Sequence, residues 1–148
     1  MGLDQYAFAR KSDNDKKIDI AYWRKHPNLQ GHMESLYHAK GGTEEVFNCV
    51  DVNLTEEDLN EIKRLCLDLK ALFDEAEKNL INASPEEKIQ ALNEIQRHSE
   101  INGIGLQKSR GFFWGHSDPQ DNDDTLKFVD DALYFMSEGY LIFYSSWW

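Results

Sequence analysis

Four consecutive residues, Trp23, Arg24, Lys25 and His26, form the densest polar and aromatic cluster in this chain. A guanidinium pairs bidentately with a carboxylate or phosphate and stacks on an indole face. Pro27 follows, suited to the first turn of a helix, and helix N-termini favour anions. The cluster reads as an anion-binding lip at a strand-to-helix junction, or else as Trp23 in the core with Arg24 paired to an acid. A second candidate is Gly111-Phe112-Phe113-Trp114-Gly115, followed by His116, in a stretch of little periodicity. Exposed, its three rings would be a partner-binding platform; folded under, they would plug one end of a sheet.

Other polar groupings carry less chemistry. His26, His32 and His38 are spaced by six. Six residues turn a helix by roughly 240°, so they share no face and make no helical metal site. His32 falls on an apolar stripe and reads as a core histidine. His116-Ser117-Asp118 names the members of a triad, but adjacent residues cannot form its hydrogen-bond chain, and no G-x-S-x-G is present. Asp118, Asp121, Asp123 and Asp124 could surround a hard cation, yet Asp123 and Val129 stand where an EF-hand loop needs Gly and Glu. Acids before a helix also suit its dipole. No catalytic residue, metal or cofactor is expected.

The elements that must position these residues follow from composition and periodicity. With 148 residues, the chain fits one domain over residues 1–148 and can bury a core without staples. Its net charge of −11 repels phosphate backbones, so no nucleic acid is expected. The acids cluster at 44–61 and 118–131, either as solvated faces or as a surface that meets a basic partner. Cys49 and Cys66 lie in apolar-patterned segments and read as buried, reduced thiols, which fits a cytosol. No signal peptide and no run of about 18 apolar residues is present, so a cytoplasmic location and no membrane are expected.

Alternation predicts strands over residues 3–9 and 17–24, the first with Tyr6 and Phe8 on one face, the second with Ile18, Ile20 and Tyr22. Leu29, His32, Met33 and Leu36 predict a helix closed by Gly41-Gly42. Residues 46–52 read as a short third strand. Thr55 with Asp58 resembles a capping box before a long apolar stripe from Leu59 to Ala76. Ser84-Pro85 opens another helix with the stripe Ile89, Leu92 and Ile95, and Asn102-Gly103 closes it. After a long loop over 103–123, a last helix is expected from about 124 to 138, then a closing strand over 140–144. The aromatic end, residues 145–148, reads as docked against the domain.

Four segments in order carry a resemblance over essentially the whole chain: Met1-Gly2-Leu3-Asp4-Gln5-Tyr6, Tyr22-Trp23-Arg24-Lys25, Gly111-Phe112-Phe113-Trp114-Gly115 and Tyr144-Ser145-Ser146-Trp147. Together they resemble a family of small bacteriophage, prophage and bacterial proteins of unassigned function. Some of its members are labelled phosphoglycerate kinase. That label does not fit this chain, which has no phosphate-binding Gly-rich motif and no second lobe to close over a substrate. His32 stands where relatives often have Trp, and Asp118 to Asp124 replace a stretch that usually holds tyrosines.

The expected fold is α+β: a small, mainly antiparallel sheet of about four strands with about four helices packed chiefly on one face. Two functions are carried forward. The first is a non-enzymatic accessory or protein-interaction domain, phage-derived and working in the host cytoplasm, whose acidic surface or aromatic loop contacts a protein. The second is a small-ligand or phosphate-binding domain, an enzyme in one form, using Arg24, Lys25 and the 111–116 loop. A concave pocket joining Arg24 to the Trp114 loop would favour the second, and an exposed flat aromatic patch the first.

Overall fold

In the computed structural model, which describes residues 2–12, 16–108 and 117–148, strand β1 (Asp4–Arg10) holds the centre of the sheet. It pairs antiparallel with β2 (Ile18–Arg24) on one side and with β4 (Leu141–Trp147) on the other. The short β3 (Val52–Leu54) adds to the far side of β4, giving the order β2-β1-β4-β3. Four helices complete the α+β fold: α1 (Pro27–Ala39), α2 (Glu56–Asn79), α3 (Pro85–Asn102) and α4 (Pro119–Ser137).

Period-two alternation sorts the sheet into two unlike faces. Gln5, Ala7 and Ala9 of β1 face the helices with Ile142 and Tyr144 of β4, and Leu29, Met33, Leu59, Ile62, Phe128 and Val129 pack over them. The small side chains of β1 let that layer sit close. The other face carries Tyr6, Phe8, Phe143 and Trp147, and no described helix covers it. Phe8 and Phe143 stack there with ring centroids 5.4 Å apart, beneath the Arg10 guanidinium at 4.5 Å from the Phe143 ring and the Lys17 ammonium at 4.1 Å from the Phe8 ring.

Local chemistry sets the helix limits. At α2 the Thr55 hydroxyl accepts from the Asp58 amide at 3.1 Å and the Asp58 carboxylate accepts from the Thr55 amide at 2.8 Å, the expected capping box. Lys40 reaches the same carboxylate at 2.6 Å, and these bonds hold its pKa below the ordinary value against the opposing effect of burial. Ser84 caps α3, and Gly103 ends it in the left-handed region at φ 66°.

Several expectations are corrected. The third strand begins at Val52 rather than residue 46, because Phe47 plugs the core and Cys49 takes a positive φ of 58°, which no strand continues through. Cys49 is therefore exposed, and only Cys66 is buried. The last helix starts at Pro119, five residues early: Asp118 and Asp121 form a second capping box, so two of the clustered acids cap a helix. In β2, Ile20 is an extra residue between the partners of Ala7 and Phe8, so Ile20 turns toward the core while Tyr22 faces out. Helix α3 packs on α2 and buries only Ser99, leaving Ile89 of its expected stripe exposed. The closing strand runs on to Trp147. Of the aromatic end expected to dock, Trp148 does, its amide donating to the Asn48 side chain at 3.1 Å and its indole N–H to the Phe47 carbonyl at 2.8 Å, whereas the Trp147 ring is exposed.

Candidate functional site

The strand-to-helix junction divides the Trp23–His26 cluster in two. Trp23 is inside, edge-on to Phe128 with centroids 5.2 Å apart, and His26 is buried beside it in the chain. Arg24 and Lys25 point to solvent. Lys25 holds a left-handed backbone at φ 57°, a strained conformation for a residue with a side chain, while its amide donates to the Leu3 carbonyl at 2.9 Å. The amides at the start of α1 are in use: that of His26 donates to Gln5 Oε1 at 2.8 Å and that of Asn28 to Ser117 Oγ at 3.2 Å. Pro27 has none.

His26 sits at the centre of a buried polar network drawn from four parts of the chain. Its Nδ1 is 2.6 Å from Ser117 Oγ and its Nε2 is 3.1 Å from Thr125 Oγ1. The Thr125 hydroxyl donates to the Asp121 carbonyl at 2.8 Å, so it accepts from the ring, and the network assigns the proton to Nε2. Ser117 Oγ also lies 3.0 Å from Asn28 Oδ1. On the other side Gln5 Nε2 donates to the His26 carbonyl at 3.0 Å and to Tyr144 Oη at 2.8 Å, and the Tyr144 hydroxyl donates to Gln30 Oε1 at 2.6 Å.

Ser117 and His26 are thus brought together, a meeting that the sequence placed 91 residues apart. Burial lowers the His26 pKa to about 3, which weakens the ring as a base toward the Ser117 hydroxyl. The void beside them, lined by Asn28, Gln96, Ser99 and Asn122, measures about 20 Å³, the room one water needs. Asp121 behaves oppositely: burial, only partly offset by its hydrogen bond from the Asp118 amide, raises its pKa to about 6.

Phe112, Phe113, Trp114 and His116 lie outside the described residues. Among the described residues no three His, Cys, Asp or Glu side chains gather to hold a metal ion. His32 is half-buried, and desolvation lowers its pKa against the attraction of Glu61 and Asp58; His38 is exposed at the end of α1. No described helix is long and apolar enough to cross a membrane.

The most distinctive surface is one that residue patterns did not single out. Register places Tyr6 opposite Tyr22 on β2 and opposite Ser145 on β4, with Trp147 one step along the same face. The two tyrosine rings are 5.3 Å apart, and the Tyr22 hydroxyl donates to Asp4 at 2.5 Å, a bond that raises the phenol pKa. Exposure of 54% for Tyr22, 42% for Tyr6 and 60% for Trp147 makes an aromatic row across three strands. Arg24, opposite Asp4, stands at its edge. The signal was present as aromatics at alternate positions, but alternation alone does not say which face is covered. Set against known proteins, the chain matches no family model, no curated protein and no solved structure.

Proposed function

We propose that this protein is a non-enzymatic interaction module that binds another protein through the helix-free face of its sheet. The observation that carries the reading is the aromatic row of Tyr22, Tyr6 and Trp147. Contiguous apolar patches on a soluble surface mark interaction sites, and Tyr, Trp and Arg are the residues that supply most binding energy at interfaces. On this face Arg10 and Lys17 lie over the Phe143 and Phe8 rings and Arg24 stands opposite Asp4, although the whole chain is −11. Cations therefore rim the rings, while the acids lie mainly on the helices. The resemblance to phage and prophage proteins supports an accessory role in a host cytoplasm.

A photo-crosslinking residue placed at Tyr22 or Trp147, and at Tyr134 on α4 as a control, tests the reading in cells that express the protein. One shared protein adduct from the first two sites and none from the third is expected. Adducts equal at all three sites, or none from the sheet face, would remove this assignment.

A second reading, a phosphate or small-ligand site at Arg24 and Lys25 completed by the 111–116 loop, is favoured by the strained backbone of Lys25 beside two exposed cations. Its test is thermal unfolding against inorganic phosphate, nucleotides and sugar phosphates. A ligand at a hundred times its dissociation constant adds roughly 2.7 kcal/mol, a rise that Arg24→Ala should abolish.

A further inference from the structure

Strand β2 ends the sheet, and among the described residues nothing pairs with its outer edge. Bonded and unbonded pairs alternate along an antiparallel ladder. Because the Lys25 amide bonds the Leu3 carbonyl, the backbone N–H and C=O groups of Tyr22 and Arg24 point away from β1. The bulge at Ile20 interrupts the edge, so its regular part is residues 21–24. Such an edge is a template for one more strand.

Between this edge and α4 runs a groove of about 220 Å³, the liquid volume of roughly seven waters. Ala21 and Trp23 line one side, and Asp124, Lys127 and Asp131 of α4 line the other. Lys127 is bound to Asp131 at 2.9 Å. Asp124 has no cation among the described residues; it accepts from the Gln120 side chain at 2.9 Å. Trp23 is 2% exposed, and its indole N–H has no hydrogen-bond partner among the described residues.

We propose that β2 takes an extended segment of a partner protein as a fifth strand, with a Lys or Arg of that segment seated in the groove beside Asp124 and Asp131. Strand addition supplies backbone bonds to Tyr22 and Arg24 and turns every second incoming side chain toward the helices, into the groove. The carboxylates then choose a cationic side chain over an acidic one, and they repel a phosphate backbone. A second copy of this chain is a poorer occupant, because the helix-facing side chains its own β2 edge would bring, Ala21 and Trp23, carry no cation for Asp124 and Asp131. The proposal rests on the interaction reading above and names the partner's chemistry, but it uses the edge of β2 and not the aromatic row.

The test begins with random heptapeptides displayed on phage and selected on the intact chain at low salt. Enriched peptides are synthesised and titrated while amide NMR shifts are followed. Lys or Arg should be enriched at one position, with the largest shifts at Tyr22 and Arg24. N-methylation of the peptide amide that faces β2 should abolish binding. The double variant Asp124→Asn, Asp131→Asn, both sites being on the helix surface, should bind at least tenfold more weakly at an unchanged melting temperature. No enrichment, an enriched peptide without a basic position, or binding indifferent to N-methylation or to the double variant would each overturn the proposal. Peptides lost on Trp147→Ala and indifferent to the double variant would overturn the groove while supporting the sheet-face reading. Failure of selection and crosslinking together would remove both.

Discussion

Acid should loosen this protein in part through one buried side chain, His26. Its pKa in the folded chain is about 3, against roughly 6.5 in an unfolded one, and burial is the cause. The hydrogen bonds do not set the shift. On protonation Nδ1 would donate to Ser117 Oγ, whose own proton can turn to Asn28 Oδ1 at 3.0 Å. What is lost is the hydration of a charge. Because the folded pKa lies below the unfolded one, the stability His26 contributes is complete above pH 6.5 and declines as pH falls toward 3. Linkage gives a loss of about 1.4 kcal/mol at pH 5.5 and about 2.7 kcal/mol at pH 4.5. Asp121 works in the other direction. Its folded pKa is raised to about 6, so its contribution is complete below its unfolded value and is lost as pH rises through 6. The two partly cancel in a raw acid-denaturation curve. The decisive quantity is the difference between wild type and His26→Gln, since Asp121 is present in both. Urea unfolding should show the variant less stable by roughly 1–3 kcal/mol at pH 7.5 for lost hydrogen bonds, a gap that shrinks by about 2.7 kcal/mol toward pH 4.5 and there closes or reverses. Ring nitrogen NMR of the wild type gives a direct check: the Nε2–H tautomer should persist to pH 4.5 without titrating. Parallel stability curves, or a His26 ring that titrates above pH 5, would refute the reasoning.

Four further outcomes follow from the packing. Thr55→Ala removes one half of the α2 capping box and should cost about 1 kcal/mol, seen as a fall of about 3 °C in the calorimetric midpoint. Cys49 should react at once with a thiol reagent, whereas Cys66, buried and with its pKa pushed up to about 12, should react only as the protein unfolds. Leu59→Ala, in the centre of the core, should cost about 2–5 kcal/mol in chemical denaturation. Ile89→Ala on α3 should change stability by less than about 0.5 kcal/mol, because that side chain is already exposed.

Elements with strong local chemistry were legible in the sequence. The Thr55–Asp58 box, the Ser84-Pro85 start and the Gly103 stop each act within one turn of the chain, so four residues suffice to read them. The start of α4 was missed for a related reason. Asp118-Pro119-Gln120-Asp121 has the same capping pattern, but its carboxylates belong to a run of acids that also suits a cation loop. The strand expected from residue 46 failed because apolar, β-branched composition does not reveal a positive φ at Cys49. The stripe of α3 was a true helical period only partly covered: α3 packs chiefly on α2, which half-buries Leu92 and Ile95 and leaves Ile89 exposed, and periodicity does not say how far a partner reaches.

The candidate sites were less legible because they are made by register and by long-range contact. Ser117 reaches His26 only when the start of α4 is laid against the β2–α1 junction, and no spacing along the chain encodes that. The aromatic row has a sharper cause. Both faces of β1 look apolar in sequence, one with Ala7 and Ala9, the other with Tyr6 and Phe8. Hydrophobicity alone would send the larger rings inward. Close packing does the reverse here: the interior at β1 is filled by Trp23, Tyr144 and Phe128 from neighbouring elements, and methyl groups are what remains room for. Once the small residues face the helices, alternation must carry Tyr6 outward, and pairing then brings Tyr22 beside it and Trp147 one step along the same face. The exposed rings are thus a consequence of the core's own packing. Whether they also serve a partner is what separates crosslinking at Tyr22 from the same measurement at Tyr134.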